Sequence, residues 1–303
     1  MKGSVAERSP HGLVVVSGAD ATAFLQSLVS QDLEAVDDGT SARSLLLTPQ
    51  GKLGVLFRAT HVGDEWWLDT DAPYGPVLAE SLTRYRIRVK VDIVDRTATT
   101  GLVSVIGDID EPASMLAILT RWGDVTGTDF LGPLSEAHQT FELLSRGRER
   151  WDAARFEAFR IEMGVPRLGL DLDDKTIPQE AFLEQDAVSF TKGCYLGQEL
   201  VARIDSRGHV NRHLRRLRVD GASVPPHGAT VVDANGKDVG AVTSAAAVPG
   251  DDRIVALAMI RREVEPPADV TLRWDAGEAR ALAHVLASLD PNNSGELTPK
   301  PAG

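Results

Sequence analysis

The run Lys192-Gly193-Cys194-Tyr195-Leu196-Gly197-Gln198-Glu199 sets an ammonium, a thiol, an amide and a carboxylate within eight positions. Cys194 is the only cysteine in 303 residues. A thiol acts as nucleophile or ligand in its thiolate form, which a nearby cation or a helix N-terminus favours. Lys192 stands two residues before it, and the helix-forming composition of Gly197–Ile204 would place it just ahead of a helix. Gly193 and Gly197 suggest a loop rather than core. The alternative is a buried structural cysteine, the common fate of a lone thiol. His209 and His213 follow in a stretch containing Gly and Asn. A Cys–His pair with Cys194 stays open, although nearness in sequence does not make one; a metal site is disfavoured further, and no metal is expected.

Upstream, Glu180 lies in Thr176-Ile-Pro-Gln-Glu-Ala181, a short segment stiffened by Pro178. A carboxylate held in place accepts two parallel N–H bonds, a pattern that the edge of an amino-oxo heterocycle such as a pterin offers. A surface or capping glutamate is the plainer reading. Arg203, Arg207, Arg212, Arg215, Arg216 and Arg218 form a basic run that suits a polyanion or simply a solvated face. In Tyr85–Ile93, apolar residues alternate with Arg84, Arg86, Arg88 and Lys90, which predicts a strand with a four-cation stripe.

These residues sit in a chain with net charge −12 and pI about 5.1. That balance argues against general affinity for a nucleic-acid backbone, so direct nucleic-acid binding is not expected. One cysteine cannot close an intrachain disulfide. No run approaches the ~18 apolar residues of a membrane span. A cytoplasmic protein without membrane association is the expectation.

The elements that must position the chemistry are short. Leu13–Val16 reads as a strand, and Ala21–Val29 as a helix capped by Asp20 or Thr22. Leu45–Leu47 and Val55–Thr60 form a hairpin around Pro49-Gln-Gly51, and Trp66–Leu68 is a further strand. Leu102–Ile106 followed by a helix over Pro112–Leu119 repeats the strand–turn–helix pattern. Arg150–Met163 is a helix ended by Gly164 and Pro166. From Leu214 the texture becomes all-β: Leu214–Val219, Thr230–Val232, Val239–Val242, Ile254–Met259 and Val270–Trp274. Residues 288–303 have the composition of a disordered tail.

The octapeptide matches the signature of the YgfZ-type folate-binding proteins, relatives of the glycine-cleavage T-protein (aminomethyltransferase). The resemblance extends over most of the chain, through Phe24–Asp32, Thr48-Pro-Gln-Gly-Lys52, Arg84–Val91, Arg160–Arg167 and Ile177–Ala181. It implies an α+β fold: a T-protein-like folate-binding body of mixed sheets and helices, with a C-terminal antiparallel β-barrel. The corresponding division is a body over 1–212, in sub-units of about 1–98 and 99–212, a barrel over 213–287, and the tail. It implies that Cys194 and Lys192 are the functional pair. It implies further that Glu180 contacts the pterin of tetrahydrofolate or a one-carbon derivative, with Tyr195, Gln198, Glu199 and Arg203 as further ligand-binding candidates. The implied role is support of iron–sulfur cluster assembly or repair in target enzymes, with iron–sulfur proteins or assembly factors as partners and an effect on tRNA modification. The alternative is a folate-dependent aminomethyltransferase or demethylase acting on a methylamine-type substrate. Around Asp71–Leu78 no equivalent of the T-protein's catalytic aspartate stands out, Asp69 and Asp71 falling too early.

Overall fold

The structure, a computed structural model, describes residues 3–109 and 113–286. The N-terminal two-thirds forms two five-stranded sheets. Strands β1 (Ser4–Glu7), β2 (Gly12–Ser17) and helix α1 (Ala21–Gln26) lead into β3 (Ser41–Leu47), β4 (Leu53–Val62) and β5 (Glu65–Thr70). Helix α2 (Gly75–Tyr85) and β6 (Asp92–Asp95) follow, then β7 (Thr100–Ile106), β8 (Leu116–Trp122), β9 (Val125–Pro133), α3 (Leu134–Leu144), β10 (Glu149–Trp151) and α4 (Ala153–Glu162). One sheet has the order β10-β1-β7-β9-β8, the other β3-β4-β5-β2-β6. Thus β1 leaves its sequence neighbours and pairs with β7 and β10 of the later sheet. This crossing ties residues 1–98 to residues 99–151.

Period-two alternation gives each sheet two faces. In the later sheet, Val103, Val105 and Phe130 pack with Ala137 and Leu144 of α3. The opposite face turns Leu102, Ile118 and Leu131 toward Leu13 of the earlier sheet. The earlier sheet's other face buries Val55, Phe57, Ala59, Trp66 and Leu68 against α1 and against Leu78 and Leu82 of α2.

After the short helices α5 (Glu184–Ala187) and α6 (Gln198–Arg207), six strands close a barrel in the order β11-β14-β13-β12-β15-β16. They are β11 (Arg212–Val219), β12 (Thr230–Val232), β13 (Asp238–Ala247), β14 (Ile254–Arg261), β15 (Ala268–Trp274) and β16 (Gly277–His284). Strand β14 is buried on both faces. Ile254, Ala256, Ala258 and Ile260 fill the barrel, while Val255, Leu257 and Met259 join the core shared with Ala158 and Ile161 of α4. Asp171 locks this junction. Its Oδ1 accepts from Thr243 Oγ1 (2.6 Å) and Ser244 Oγ (2.7 Å) of β13, and its Oδ2 accepts from the buried Arg160 Nη1 (2.7 Å) and from Arg167 N (3.0 Å).

Two expected elements are corrected. Tyr85–Ile93 is not a strand: Tyr85 ends α2, residues 86–91 are irregular, and only Asp92–Asp95 pairs. Pro76 starts α2 and Leu78 and Leu82 bury one helical stripe, while Arg88 at φ +57° interrupts any extended run. The cations stay exposed around Ile87, which is 72% exposed. The helix expected over 112–119 gives way to β8, which pairs with β9 across a Gly123-Asp124 turn. Asp20 precedes α1 without capping it, and its Oδ2 instead accepts from Lys90 N. Strand β16 carried no clear signal in its Ala- and Glu-rich composition. The tail read over 288–303 lies outside the described residues.

Removing Asp171 strands the buried Arg160 charge and two β13 hydroxyls. We expect Asp171→Ala to cost about 3–5 kcal/mol, read as a lower urea midpoint; a loss under about 1 kcal/mol would show that the junction does not depend on it.

Candidate functional site

The signature loop is positioned by two interlocked glycines. Gly197, at φ +76°, precedes α6, and a Cβ there would lie 2.3 Å from Thr48 O. Gly51, also at φ +76°, would meet Gly197 O at 2.8 Å and Leu200 Cβ at 2.5 Å. Only glycine supplies both the left-handed backbone and this close approach. The Pro49-Gln-Gly51 turn, closed by Thr48 N to Lys52 O (2.8 Å), is therefore the seat of the loop.

Lys192 is held by backbone carbonyls of a distant segment. Its Nζ donates to the carbonyls of Gln26 (2.7 Å), Val29 (2.8 Å) and Gln31 (2.9 Å), past the end of α1. Three donors meet three carbonyls, which complements the negative end of that helix. Burial moves the ammonium down to about 8, against the pull of Asp32 and Glu34. Lys192 thus pins the loop to the N-terminal segment, with its ammonium committed to three backbone carbonyls. Cys194 is exposed at the loop's crest, ahead of α6. Tyr195 packs on the core beneath, where burial lifts its phenol to about 12. Gln198 Oε1 accepts from Tyr195 N (3.2 Å), and Glu199 and Arg203 lie exposed on α6.

Glu180 is buried, but its carboxylate is already engaged. Arg212 donates to it twice (Nε to Oε1 2.7 Å; Nη2 to Oε2 3.2 Å), and Ile177 N donates to Oε2 at 3.0 Å. This bidentate pair fastens β11 to the segment before α5.

A separate cavity of about 550 Å³ opens between the two sheets, within the usual range for a small-molecule site. Cys194, Lys192, Glu180, Tyr195, Gln198, Glu199 and Arg203 are not among its lining residues. Its walls include Leu56, Leu102, Leu119, Trp122, Phe156 and Leu168, with Asp71, Arg121, Glu157 and Arg167 among the polar groups. One edge holds a buried charge network. Arg58 of β4 donates from Nε to Asp69 Oδ1 (2.8 Å) and from Nη2 to Asp69 Oδ2 (3.1 Å) on β5, and from Nη1 to Asp129 Oδ2 (2.9 Å) on β9. Ser104 Oγ donates to Asp129 Oδ1 at 2.5 Å, and His11 Nε2 lies 2.9 Å from Asp69 Oδ2. Burial opposes ionisation of Asp69, but the Arg58 charge and the hydrogen bonds of His11 and Arg58 outweigh it and hold the carboxyl down at about 2. Burial likewise opposes the Arg58 charge, and the two aspartates more than offset it.

Sequence reasoning missed His11, Arg58, Ser104 and Asp129. A signal existed: Arg58 and Asp129 each stand as the one Asp, Glu, Lys or Arg inside the strands Leu53–Val62 and Val125–Pro133, and buried charges require partners. The cavity and the signature loop are connected by α5. Asp186 lines the cavity and pairs with Arg43, Ser30 Oγ donates to Ala187 O (2.5 Å), and Ser189 N donates to Ser30 O (2.9 Å) just before the loop.

Comparisons agree with this architecture. Residues 212–288 match the glycine cleavage T-protein C-terminal barrel domain. The solved aminomethyltransferase T of the glycine cleavage system from Bartonella henselae superposes with a TM-score of 0.81 at 19% identity, covering 95% of this chain and 87% of that one. The tRNA-modifying protein YgfZ of Escherichia coli O157:H7 is 25% identical over 286 residues, 87% of each chain. The mitochondrial iron–sulfur cluster assembly factor IBA57 homolog of Mycosarcoma maydis is 29% identical over 236 residues, 72% of this chain and 58% of its own length. Fold and barrel define a T-protein-type α+β protein. Within that class, the chain is similar in sequence to the tRNA-modifying protein YgfZ and in fold to the aminomethyltransferase T of the glycine cleavage system. Among the described residues, no helix is long and apolar enough to cross a membrane.

Two measurements check the geometry. Lys192→Ala should cost about 1–3 kcal/mol and open residues 189–197 to limited proteolysis, while Cys194→Ala should stay within about 0.5 kcal/mol of wild type. Equal protease resistance of the two variants would refute the tether. Asp69 adds stability above its ordinary value of 3.8, and that contribution is lost as pH falls toward 2. Arg58→Met instead leaves carboxylates without their counter-charge, a defect that acid relieves by protonating them. The stability gap between wild type and variant, about 3 kcal/mol or more at pH 7, should therefore narrow as urea unfolding is repeated toward pH 3. A gap independent of pH would count against the network.

Proposed function

We propose that this protein is a tetrahydrofolate-binding accessory factor that supports iron–sulfur cluster assembly or repair in target enzymes and through them influences tRNA modification. The observation that carries the reading is the separation of chamber from thiol: a cavity between the sheets of a T-protein fold, and an exposed Cys194 outside it. A thiol facing solvent suits contact with a partner protein, a sulfur species or a cluster in transit better than chemistry on a ligand in the cavity. The names of the YgfZ and IBA57 relatives point the same way.

The cavity's donor set fits a reduced folate. Apolar walls such as Leu168 and Phe156 can enclose a flat ring, and Asp71 offers a carboxylate with no side-chain hydrogen bond to another described residue. Arg121 and Arg167 add cations for an anionic tail. Because the Glu180 carboxylate is taken by Arg212, Asp71 is the better candidate for the pterin edge. When bound, the folate would supply one-carbon chemistry; these residues would bind and orient it. The transferase alternative keeps one favourable feature, an ionised Asp69 beside the cavity, but Arg58 and His11 already take up that carboxylate.

Calorimetry with tetrahydrofolate should show binding to the wild-type protein, weakened about tenfold or more by Asp71→Asn, the loss of roughly one charge-assisted hydrogen bond. No heat of binding to ligand-free protein would refute the folate reading. Multiple turnover of a methylamine donor would promote the transferase instead.

A further inference from the structure

We infer that His11 is a second ligand-reading acceptor of the inter-sheet cavity, beside Asp71: its Nδ1 takes a hydrogen bond from an N–H group of the bound molecule, and this makes binding proton-linked. The inference deepens the proposed folate site by naming the atom that would read the ligand's ring or amine N–H. It uses that reading for its choice of probe.

The geometry sets the tautomer. His11 precedes β2, with its backbone N–H donating to Thr100 O (3.1 Å). Its Nε2 faces Asp69 Oδ2 at 2.9 Å, and Asp69 also accepts two bonds from Arg58. An ionised carboxylate is acceptor-only, so the proton of a neutral imidazole must sit on Nε2. Nδ1 then carries a lone pair. No side chain or backbone group among the described residues hydrogen-bonds to it, and it is not one of the buried atoms sealed from solvent without a partner. The residue is 6% exposed and lines the cavity. A nearly buried ring fixed at one nitrogen thus offers the other to whatever enters.

The charges that share this surface come from every neighbouring element. They are Asp69 and Arg58 on β5 and β4, Asp71 after β5, Glu7 and Arg8 at the end of β1, Asp129 and Arg121 from the later sheet, Arg43 on β3, Glu157 and Arg160 on α4, Arg167 after it, and Asp186 on α5. Of these lining groups, His11 is the one imidazole, the side chain that can both accept and donate through Nδ1. Protonated, its Nδ1 becomes a donor and repels an N–H. A ligand with an N–H at this point must therefore displace a proton from His11 once the imidazole is charged.

The test is tetrahydrofolate affinity by calorimetry between pH 8 and 5, in buffers of different ionisation enthalpy, with wild type and His11→Gln. The glutamine amide can still donate to Asp69 and present a carbonyl acceptor, but it does not titrate. Wild type should lose affinity toward about tenfold per pH unit on the acid side, releasing one proton per ligand; His11→Gln should show a flat profile. Parallel profiles in the two proteins would overturn the assignment while leaving folate binding intact. If tetrahydrofolate does not bind, the folate reading fails, and ¹⁵N spectra of the His11 ring decide this inference alone. A lone-pair Nδ1 that protonates on acidification supports it, and a protonated Nδ1 at pH 8 overturns it.

Discussion

A single guanidinium, Arg58, stands between carboxylates from two sheets. Asp69 is its cross-strand neighbour in one sheet and Asp129 belongs to the other. Burying three charges carries a desolvation penalty that only close, hydrogen-bonded geometry offsets. Both sheets must therefore keep the register that presents these residues. A one-residue slip in β4 or β9 would send its charge to the apolar face. The network also divides the inter-sheet layer. Leu13, Leu102, Ile118 and Leu131 close one part by hydrophobic contact, while the charged edge borders a part that stays open as the cavity. The state of His11 follows from the same constraint, since Arg58 helps keep Asp69 ionised.

The signature loop obeys a second constraint, close packing of backbone on backbone. Gly197 and Gly51 allow the chain ahead of α6 to lie against the hairpin turn, and Lys192 ties the loop to the segment after α1. These contacts leave Cys194 exposed on a braced support rather than on a free loop. Chamber and thiol are thus two sites on one frame, linked through α5 by Asp186, Ala187 and Ser189.

Much of the frame was readable from local pattern. Five of the six barrel strands follow from alternation and turn residues, and the 48–52 turn from its Pro and Gly. The start of α6 follows from the composition after Gly197. The failures share a cause. Alternation over Tyr85–Ile93 mimicked a strand, but Leu78 and Leu82 drew the preceding residues into a helix on the core, and the cations were left in a loop. Leu116–Trp122 carried apolar residues compatible with either state, and pairing with β9 decided it. Within the site, Lys192 and Cys194 were legible as residues, yet their adjacency in sequence concealed that Lys192 is bonded to the segment after α1 while Cys194 is exposed. Glu180 was legible as a held carboxylate, but its holder, Arg212, lies 32 positions away.

The sequence by itself determined the elements whose information is local: strand alternation, turn glycines, a lone thiol before a helix, and a family signature around it. Tertiary structure alone decided which charges meet. His11, Arg58, Asp69, Ser104 and Asp129 are drawn together from five separate stretches by sheet pairing and by the crossing of β1. The physical reason is that burial requires each charge to find a partner, and the partner is selected by strand register and sheet packing, which no local window contains.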